Sequence, residues 1–433
     1  MYDLAIIGSG WAGFSAAIYA KELGLSAVLI EKNNLGGTCL NQGCIPTKTL
    51  VHFSKNLSSI KNLNLEGIEI NNSSFDFQKL FVHKENIVNK LKSGLEFTLK
   101  NKKIDFIKGL AALESPNEIS IDKNKKIQAK FILIATGSRP IELDWLKFDQ
   151  KKIISSDDLL NLKEVPKTML VIGGGVIGSE FAQIYNAIGV KITIVEITEN
   201  ILPTEDKEAT KKLELIFKKT GINILTKTDA RTLNFNDFDK VLVCVGRRPA
   251  IENLGLENLG INQYKNRILV NDYLQTNIPT VYAAGDCIGG MYLAHVASHE
   301  GKTAAYNMFN LKNQRKINYK LMPTCVFTDP EVASIGLNEE EAKAQGFKIK
   351  LSKFSFLSSG MAHILNKTDG FIKIVSDLDS DEILGASILG PQAIELINIF
   401  SLAMANRLKI SQIKDTVFCH PSLSETIIEA LRT

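Results

Sequence analysis

Two cysteines near the N-terminus have the type and spacing best suited to redox chemistry. Cys39 and Cys44 lie in the segment GGTCLNQGCIPTK, residues 36–48. In a regular α-helix, residues five positions apart would place their Cα atoms roughly 8–9 Å apart, beyond the roughly 7 Å limit for a disulfide. A bridge therefore needs a distorted segment, which Gly43 permits. A metal site would need more ligands than these two thiols and His52 supply, and two buried, inert thiols are the remaining alternative.

A histidine and a carboxylate near the other end of the chain could supply acid–base chemistry. His420 and Glu425 belong to the segment CHPSLSE. An imidazole needs an orienting partner to act as a base, and a carboxylate provides one. Without further context, a surface histidine in a C-terminal loop is the more ordinary interpretation. Cys419, directly before the histidine, is interpreted as an incidental small residue rather than a third redox thiol.

A glycine-rich turn near the N-terminus must lie between a strand and a helix. It follows the apolar run Leu4–Ile7, precedes a helical pattern, and is followed by a second apolar run that ends at Glu31. Small residues at such a turn let a pyrophosphate approach the backbone and the helix N-terminus, and the acid can accept from ribose hydroxyls. The strand, turn, helix and acid together predict a dinucleotide-binding unit. Its motif glycines are Gly8, Gly10 and Gly13.

The same unit recurs 165 residues later, after the apolar run Met169–Ile172. The first glycine and the terminal acid are again 23 positions apart, which makes coincidence improbable. This second acid, Glu196, would repel a 2′-phosphate, and residues 197–200 include no arginine to bind one. The pattern favours NAD over NADP, the alternative being that Glu196 is only a solvated strand end. The glycines of the second motif are Gly173, Gly175 and Gly178.

The remaining pattern predicts three structural units. The polar stretch Asn56–Asp105 has helical periodicity around Phe77–Leu99 and is interpreted as a helical excursion. Later apolar runs that end in glycine predict further parallel strands, and from about Lys316 shorter alternating segments precede a strong helix, Gln392–Ala405. We therefore predict an α/β fold with two Rossmann-like dinucleotide-binding domains and a C-terminal α+β domain. The expected division is 1–143 and 266–315 for the first dinucleotide domain, 144–265 for the second, and 316–433 for the last.

Composition limits the class of protein. A chain of 433 residues, with 45% hydrophobic and 23% charged residues, is expected to form two or three packed globular units. The net charge of +4 comes without a dense basic block, so no nucleic-acid partner is expected. No apolar stretch reaches the ~20 residues of a membrane span, and the N-terminus runs directly into a strand without room for a secretory signal. We expect a cytoplasmic protein, in which a close cysteine pair is catalytic or metal-binding.

The segment GGTCLNQGCIPTK resembles the redox-active signature of the flavoprotein disulfide reductases, the class I pyridine nucleotide-disulfide oxidoreductases. The resemblance covers nearly the whole chain, with further motifs in the expected order: ATGSRP at 135–140, VGRRP at 245–249, the stretch 276–286 ending in AAGD, and PTCVFTDPEVASIG from Pro323. It implies that the first unit binds FAD and the second NAD, and that the cysteines form a reducible disulfide beside the flavin. The first cysteine would exchange with substrate and the second would contact the flavin. No metal is expected.

The same resemblance assigns individual residues. Lys48 matches a lysine near the flavin, and Glu180, inside the second glycine motif, matches its usual carboxylate partner. Asp286 would hold the ribitol of FAD. The residues assigned to FAD are Gly8, Gly10, Gly13, Glu31, Lys32, Gly37, Thr38, Lys48, Ala111, Thr136, Gly137, Ser138, Asp286 and Ala294. Those grouped with the NAD unit are Gly173, Gly175, Gly178, Glu180, Glu196 and Gly246.

The C-terminal domain is expected, by the same resemblance, to form an obligate homodimer. The active site would combine Cys39 and Cys44 of one chain with His420 and Glu425 of the other. Within the family, the segment GGTCLNQGCIPTK most resembles the branch that oxidises dihydrolipoyl groups of an acyltransferase or carrier protein with NAD. The alternatives are another NAD(P)H-dependent disulfide reductase and a noncatalytic docking subunit of a lipoyl-bearing complex.

Sequence features weigh against two of the rival reductases. A glutathione reductase would carry a second basic residue at Thr47 and arginines after the second strand of the NAD unit, and a mercuric reductase would carry a C-terminal cysteine pair; none of these is present. Two stretches are shorter than usual for the family. Within Ile222–Val245, the expected three-stranded excursion should be trimmed to a hairpin or lost, and only eight residues follow Glu425.

Overall fold

The computed structural model describes residues 1–70 and 74–432. Residues 71–73 of the predicted helical excursion, and Thr433, lie outside the described residues. The elements up to residue 140 are β1 (Tyr2–Ile7), α1 (Trp11–Glu22), β2 (Ala27–Glu31), α2 (Gly37–Gln42), α3 (Cys44–Asn62), α4 (Phe77–Asn101), β3 (Asp105–Lys108), β4 (Ala111–Ser115), β5 (Glu118–Ile121), β6 (Lys125–Ile134) and β7 (Ser138–Pro140).

The second half of the chain continues the alternation and then changes to antiparallel strands. Its middle elements are β8 (Ile153–Ile154), α5 (Ser156–Leu159), β9 (Thr168–Ile172), α6 (Val176–Ala187), β10 (Lys191–Val195), α7 (Lys207–Lys219), β11 (Asn223–Leu225), β12 (Lys240–Val243), β13 (Arg247–Pro249), β14 (Gln263–Tyr264), β15 (Arg267–Ile268), β16 (Val281–Ala283) and α8 (Ala294–Phe309). Its last elements are β17 (Thr324–Val326), β18 (Glu331–Gly336), α9 (Glu339–Ala344), β19 (Ile349–Ser355), α10 (Gly360–Ile364), β20 (Phe371–Asp377), β21 (Ile383–Gly390), α11 (Ala393–Ala405), α12 (Ile410–Lys414) and α13 (Glu425–Arg432).

The first dinucleotide unit is built on a mixed sheet in the order β3-β2-β1-β6-β5-β4, with β16 also pairing β6. Strands β3, β2, β1, β6 and β16 run parallel, and β5 and β4 add antiparallel partners at one edge. The central strand β1 is covered on both faces, because Leu4, Ala5 and Ile6 are all fully buried. Strand β16 comes from far along the chain and adds a parallel strand beside β6 of the first unit.

The second dinucleotide unit repeats this plan with a parallel sheet in the order β11-β10-β9-β12-β8. The predicted shortening also holds. Within the described residues, no strand lies between Leu225 and Lys240, where only short 3₁₀ turns occur. The three-stranded excursion is therefore lost rather than trimmed to a hairpin.

The C-terminal unit is an antiparallel sheet in the order β17-β18-β21-β20-β19. One face packs against α11 and α13 in a core that includes Ile372, Ile388, Phe400 and Ile427. The other face supplies apolar side chains to the core of the second dinucleotide unit. This is the predicted fold class: two Rossmann-like units and a C-terminal α+β unit. The exact domain boundaries stay a prediction.

The two connections between the dinucleotide units pair with each other. Strand β7, from ATGSRP, and strand β13, from VGRRP, form an antiparallel ladder with Arg139 opposite Arg248. The positions of the two segments in sequence give no indication of this pairing. Among the described residues, no helix combines the length and apolar character needed to cross a membrane. The same residues include no cluster of three or more His, Cys, Asp or Glu side chains arranged to hold a metal ion.

Candidate active site

Gly13 and Gly10 of the first motif have different structural roles. A Cβ atom on Gly13 would lie 2.0 Å from the carbonyl oxygen of Gly8, so this glycine lets α1 pack directly on the turn that follows β1. A Cβ on Gly10 would meet nothing within 4 Å. Gly10 caps α1 at its N-terminus, where unpaired N–H groups and the helix dipole favour an anion. The turn is therefore closed behind Gly13 and open in front of Gly10.

The carboxylate of Glu31 is buried beside this turn. Its Oε2 accepts from the backbone N–H and the hydroxyl of Ser9, each at 2.9 Å, and its Oε1 accepts from the N–H of Asn33 at 2.8 Å. These bonds fix the acid at the end of β2 with acceptor capacity left for a ligand hydroxyl. Sequence reasoning missed Ser9, although its position between two motif glycines was the available signal.

A cavity of about 290 Å³ opens in front of the turn. Most residues assigned to FAD line it, and Thr136 Oγ1 nearby is buried without a hydrogen-bond partner among the described residues. A cavity beside the open Gly10, with an unpaired hydroxyl in its lining, fits the nucleotide part of FAD. The predicted residues that line it are Gly8, Gly10, Glu31, Lys32, Gly37, Thr38, Ala111, Thr136, Gly137 and Ser138. Gly13, Lys48, Asp286 and Ala294 are not among its lining residues.

Asp286 is nevertheless connected to this cavity. The hydroxyl of Ser138 donates to Asp286 Oδ2 at 2.5 Å and accepts from Arg247 Nε at 2.8 Å. Arg247 also lines the cavity and donates to the Ser138 carbonyl. Arg247 directly follows Gly246 in VGRRP, and the sequence pattern alone does not indicate its role. Ala294 is the first residue of α8, close in sequence to Asp286.

The second motif repeats the geometry of the first. A Cβ on Gly178 would lie 2.0 Å from the Gly173 carbonyl oxygen, and one on Gly175 would meet nothing within 4 Å. The buried Glu196 accepts from the N–H of Gly174 at 2.7 Å and from Thr198 at 2.9 Å. The two acids thus bind equivalent backbone positions of the two turns. Gly246 lies between β12 and β13, and its carbonyl accepts from Ile141 at 3.0 Å.

The cysteine pair lies where the helix is interrupted. Helix α2 ends at Gln42 and α3 begins at Cys44, so the pair does not belong to one regular helix. A Cβ on Gly43 would approach Cys39 Cα to 3.3 Å, so the glycine permits the close approach. The two cysteines are thiols that hydrogen-bond to each other. The distortion expected from the spacing is therefore present.

The two thiols differ in acidity. The hydrogen bond from Cys39, assisted by the positive charge of Lys48, lowers the pKa of Cys44 to about 7, against the opposing effect of burial. The same hydrogen bond, together with burial, raises the pKa of Cys39. The Trp11 side chain, at the start of α1, also hydrogen-bonds to Cys39. Of the two sulfurs, Cys44 therefore carries the thiolate in the reduced pair.

Lys48 lies one helical turn beyond Cys44 and reaches across to the second dinucleotide unit. Its Nζ donates to both carboxylate oxygens of Glu180, at 2.8 and 3.1 Å, and lies 4.4 Å from the centre of the Phe327 ring. Burial opposes the lysine charge, but Glu180 outweighs burial and the pKa of Lys48 is raised. Glu180 also accepts from the Phe327 N–H at 2.9 Å. The structure thus brings Lys48 and Glu180 together. Phe327 of the C-terminal unit contacts both residues, which the sequence did not indicate.

His420 and Glu425 form the expected pair at a distance from the cysteines. His420 Nδ1 lies 2.9 Å from Glu425 Oε1, and Glu425 Oε2 accepts from the Ser422 N–H at 2.7 Å. The hydrogen bond from His420, and then that from Ser422, lower the pKa of Glu425. The imidazole is 83% exposed. Among the described residues of this one chain, no hydrogen bond joins His420 to either cysteine.

Replacing Gly13 by alanine is expected to destabilise the first unit and weaken FAD binding. The added methyl would collide with the Gly8 carbonyl, and such overpacking costs about 1–3 kcal/mol. Thermal unfolding and flavin content of the purified protein measure the effect. Gly94 of α4 is a matched control, because a Cβ there would meet nothing within 4 Å. Gly94→Ala should be neutral or slightly stabilising, and equal losses in both variants would contradict this role for Gly13.

The reduced cysteine pair is expected to lose a proton near neutral pH. The pKa of Cys44 is lowered to about 7. The thiolate absorbance at about 240 nm should therefore rise with pH through a midpoint close to 7. The signal is the difference between reduced and oxidised protein. Lys48→Met removes one source of the shift and should move the midpoint upward. A midpoint in the ordinary range of a free thiol would show that Cys44 is not acidified.

Comparison with known proteins supports the arrangement. Residues 2–301 match the family described as pyridine nucleotide-disulphide oxidoreductase, and residues 322–431 match its dimerisation domain. A dihydrolipoyl dehydrogenase of Bacillus subtilis (strain 168) is 38% identical over 99% of this chain and 97% of its own length. A dihydrolipoyl dehydrogenase of Chlamydia pneumoniae is also 38% identical, over 99% of this chain and 96% of its own.

Solved structures superpose on this chain over its whole length. LpdA from Mycobacterium tuberculosis superposes with a TM-score of 0.93 at 25% identity, covering 100% of this chain and 99% of its own. The HOCl-induced flavoprotein disulfide reductase RclA from Escherichia coli gives a TM-score of 0.88 at 29% identity, with the same coverage. With both dinucleotide units, the cysteine pair and the dimerisation domain in place, this chain belongs to the pyridine nucleotide-disulphide oxidoreductase family.

Proposed function

We propose that this chain is a dihydrolipoyl dehydrogenase, which oxidises protein-bound dihydrolipoyl groups with NAD through a cysteine pair and FAD. The observation that carries the proposal is the thiol pair at Gly43, in which Cys44 is the acidified member beside Lys48. Whole-chain identities of 35–38% to dihydrolipoyl dehydrogenases support the choice of substrate within the family.

The residues present fit both cofactors. The cavity in front of Gly10 and Glu31 would take FAD, with Ser138 and Asp286 holding its polar chain. The open turn at Gly175, with Glu196 beside it, would take NAD, and the negative carboxylate there disfavours the 2′-phosphate of NADP. Bound FAD would carry the electron pair from the cysteines to the nicotinamide.

The cysteines perform the exchange with the dithiol substrate. A substrate thiolate attacks the Cys39 sulfur of the oxidised pair, which breaks the disulfide and leaves Cys44 as a thiolate. The second substrate thiol then attacks the mixed disulfide, releasing the cyclic lipoyl disulfide and the Cys39 thiol. One electron pair and two protons leave the substrate. The positive charge of Lys48 lowers the pKa of Cys44, which favours Cys44 as the leaving thiolate in the first step.

A base is needed to form the substrate thiolate, and we assign it to His420. Glu425 orients the ring through Nδ1, which leaves Nε2 as the nitrogen that can accept the substrate proton. The strongly exposed imidazole and the match of residues 322–431 to a dimerisation domain support a homodimer in which His420 serves the cysteines of the partner subunit. Lipoyl groups of an acyltransferase or carrier protein would enter between the subunits.

A cofactor comparison tests the proposal. Purified yellow protein is mixed with dihydrolipoamide and either NAD or NADP, and absorbance at about 340 nm follows the reduced nicotinamide. We expect turnover with NAD, weak turnover with NADP, and a long-wavelength band from the thiolate beside the flavin. Rapid oxidation of NADPH by another disulfide, without dihydrolipoamide turnover, would place the chain in a different branch, such as that of the HOCl-induced reductase.

A further inference from the structure

A buried carboxyl group lies beneath the segment that leads to Asp286. Glu300, on α8, is only 3% exposed. Its Oε2 accepts from the N–H of Gly285 at 2.6 Å, and its Oε1 accepts from the hydroxyl of Tyr319 at 2.8 Å. Both oxygens are therefore held by donors from outside its own helix. Neither the glycine motifs nor the resemblance to the family singled out this residue.

Close packing fixes the depth of this carboxyl group. Helices α1 and α8 pack against each other, and a Cβ on Gly301 would lie 2.0 Å from the carbonyl oxygen of Ala12. A Cβ on Gly285 would lie 3.1 Å from the Ala12 side chain. Neither α8 nor the Gly285 turn has room to shift toward α1. Burial raises the pKa of Glu300, so an acid at this position is costly unless its oxygens are paired.

The two partners of Glu300 lead to different parts of the site. Gly285 immediately precedes Asp286, which bonds Ser138 at the cavity. Tyr319 opens the segment that enters the C-terminal unit, and His295 of α8 contacts the Pro323 carbonyl of the same segment at 2.8 Å. Four residues later this segment presents Phe327 to the Lys48–Glu180 pair. One carboxyl group therefore joins the Asp286 turn to the entry of the C-terminal unit.

We propose that Glu300 is a positioning residue of the flavin site, which sets Asp286 by holding the Gly285 N–H and couples that turn to the C-terminal unit through Tyr319. This inference rests on the proposed function only in taking FAD as the occupant of the cavity. The reach of the side chain matters, because the acceptor must arrive at Gly285. The negative charge is not required, since an amide oxygen accepts the same N–H.

The test separates the effect of side-chain length at position 300 from the effect of its charge, in the FAD-bound protein. Glu300→Gln keeps the reach and removes the charge, Glu300→Asp keeps the charge and withdraws the acceptor, and Glu300→Ala removes both. Release of FAD is followed by its fluorescence in mild chaotrope, below the unfolding transition. Loss of a buried acceptor should increase release about tenfold to a hundredfold in the Asp and Ala variants. The Gln variant, and the exposed control Glu22→Ala, should stay within about twofold of the unmodified protein.

The outcomes separate this inference from the proposed function. Asp and Ala variants that are folded and retain FAD as the unmodified protein does would overturn the role of Glu300, whatever the enzyme oxidises. Release from the Gln variant as fast as from the Asp variant would show that the charge matters, and would also overturn it. If the Ala variant does not fold, the Asp and Gln pair still decides. A protein that binds FAD but does not oxidise dihydrolipoamide would refute the proposed function and leave this inference standing.

Discussion

Replacing Cys44 by serine is expected to abolish oxidation of dihydrolipoamide, lowering kcat on the order of 10⁴-fold or more, as for loss of an essential nucleophile. A serine cannot form the disulfide that takes up the substrate electron pair, and the remaining Cys39 thiol offers the substrate thiolate no S–S bond to attack. Reductive titration with dithionite should show directly that the redox-active disulfide is lost. The unmodified protein should take up one electron pair per chain more than the variant.

Two controls restrict the interpretation of this result. Reduction of ferricyanide by NADH does not need the cysteines, so the Cys44→Ser protein should retain it if its flavin site is intact. Cys419→Ser should have normal dihydrolipoamide turnover, since Cys419 is exposed and is interpreted as incidental. Normal turnover in the Cys44→Ser protein would exclude the thiol mechanism, and loss of activity in the Cys419→Ser protein would identify a third redox thiol.

Replacing His420 by glutamine should lower kcat by about 10²- to 10⁴-fold, the usual contribution of general acid–base catalysis. Glutamine can still hydrogen-bond Glu425 but cannot take the substrate proton. The remaining activity should rise with pH, because a higher pH supplies the substrate thiolate without a base. His363→Gln is the matched control, since His363 is exposed on α10. A His420→Gln protein with the kcat and pH profile of the unmodified enzyme would remove His420 from the mechanism.

A mixed dimer tests whether the site is shared between subunits. Chains carrying Cys44→Ser and chains carrying His420→Gln should each be nearly inactive when pure. If His420 serves the partner's cysteines, a hybrid dimer has one site with both residues intact and should recover activity. If each chain uses its own histidine, both sites of the hybrid remain defective. Failure to recover activity in verified hybrids would therefore contradict the shared site.

Much of this protein was readable from short-range patterns. The spacing from Gly8 to Glu31, and its repetition from Gly173 to Glu196, predicted both dinucleotide units, because each unit is a continuous strand, turn and helix with local constraints. The cysteine spacing predicted a break in the helix, which the structure has at Gly43. Such features depend on backbone geometry within a few residues, so the sequence alone determines them.

Other features depend on contacts between distant segments. The salt bridge of Lys48 with Glu180 joins residues 132 positions apart, and resemblance, not local pattern, was needed to expect it. The pairing of β7 with β13, and the place of Arg247 between Ser138 and the cavity, follow from how the two units meet. Short polar segments of this kind have no periodicity that would indicate their partners.

Glu300 shows most clearly what the sequence alone does not determine. In the sequence it is one acid among 47 acidic residues, in a helix with charged and small neighbours. Its burial, and the donation from Gly285 and Tyr319, arise only when α8 packs on α1 and the Tyr319 hydroxyl reaches the helix from the segment that leads to the C-terminal unit. The sequence determined the units and the redox pair, because neighbouring residues encode local backbone geometry. The tertiary structure decided which polar groups hold them together, because burial and hydrogen bonding depend on the packing of distant elements.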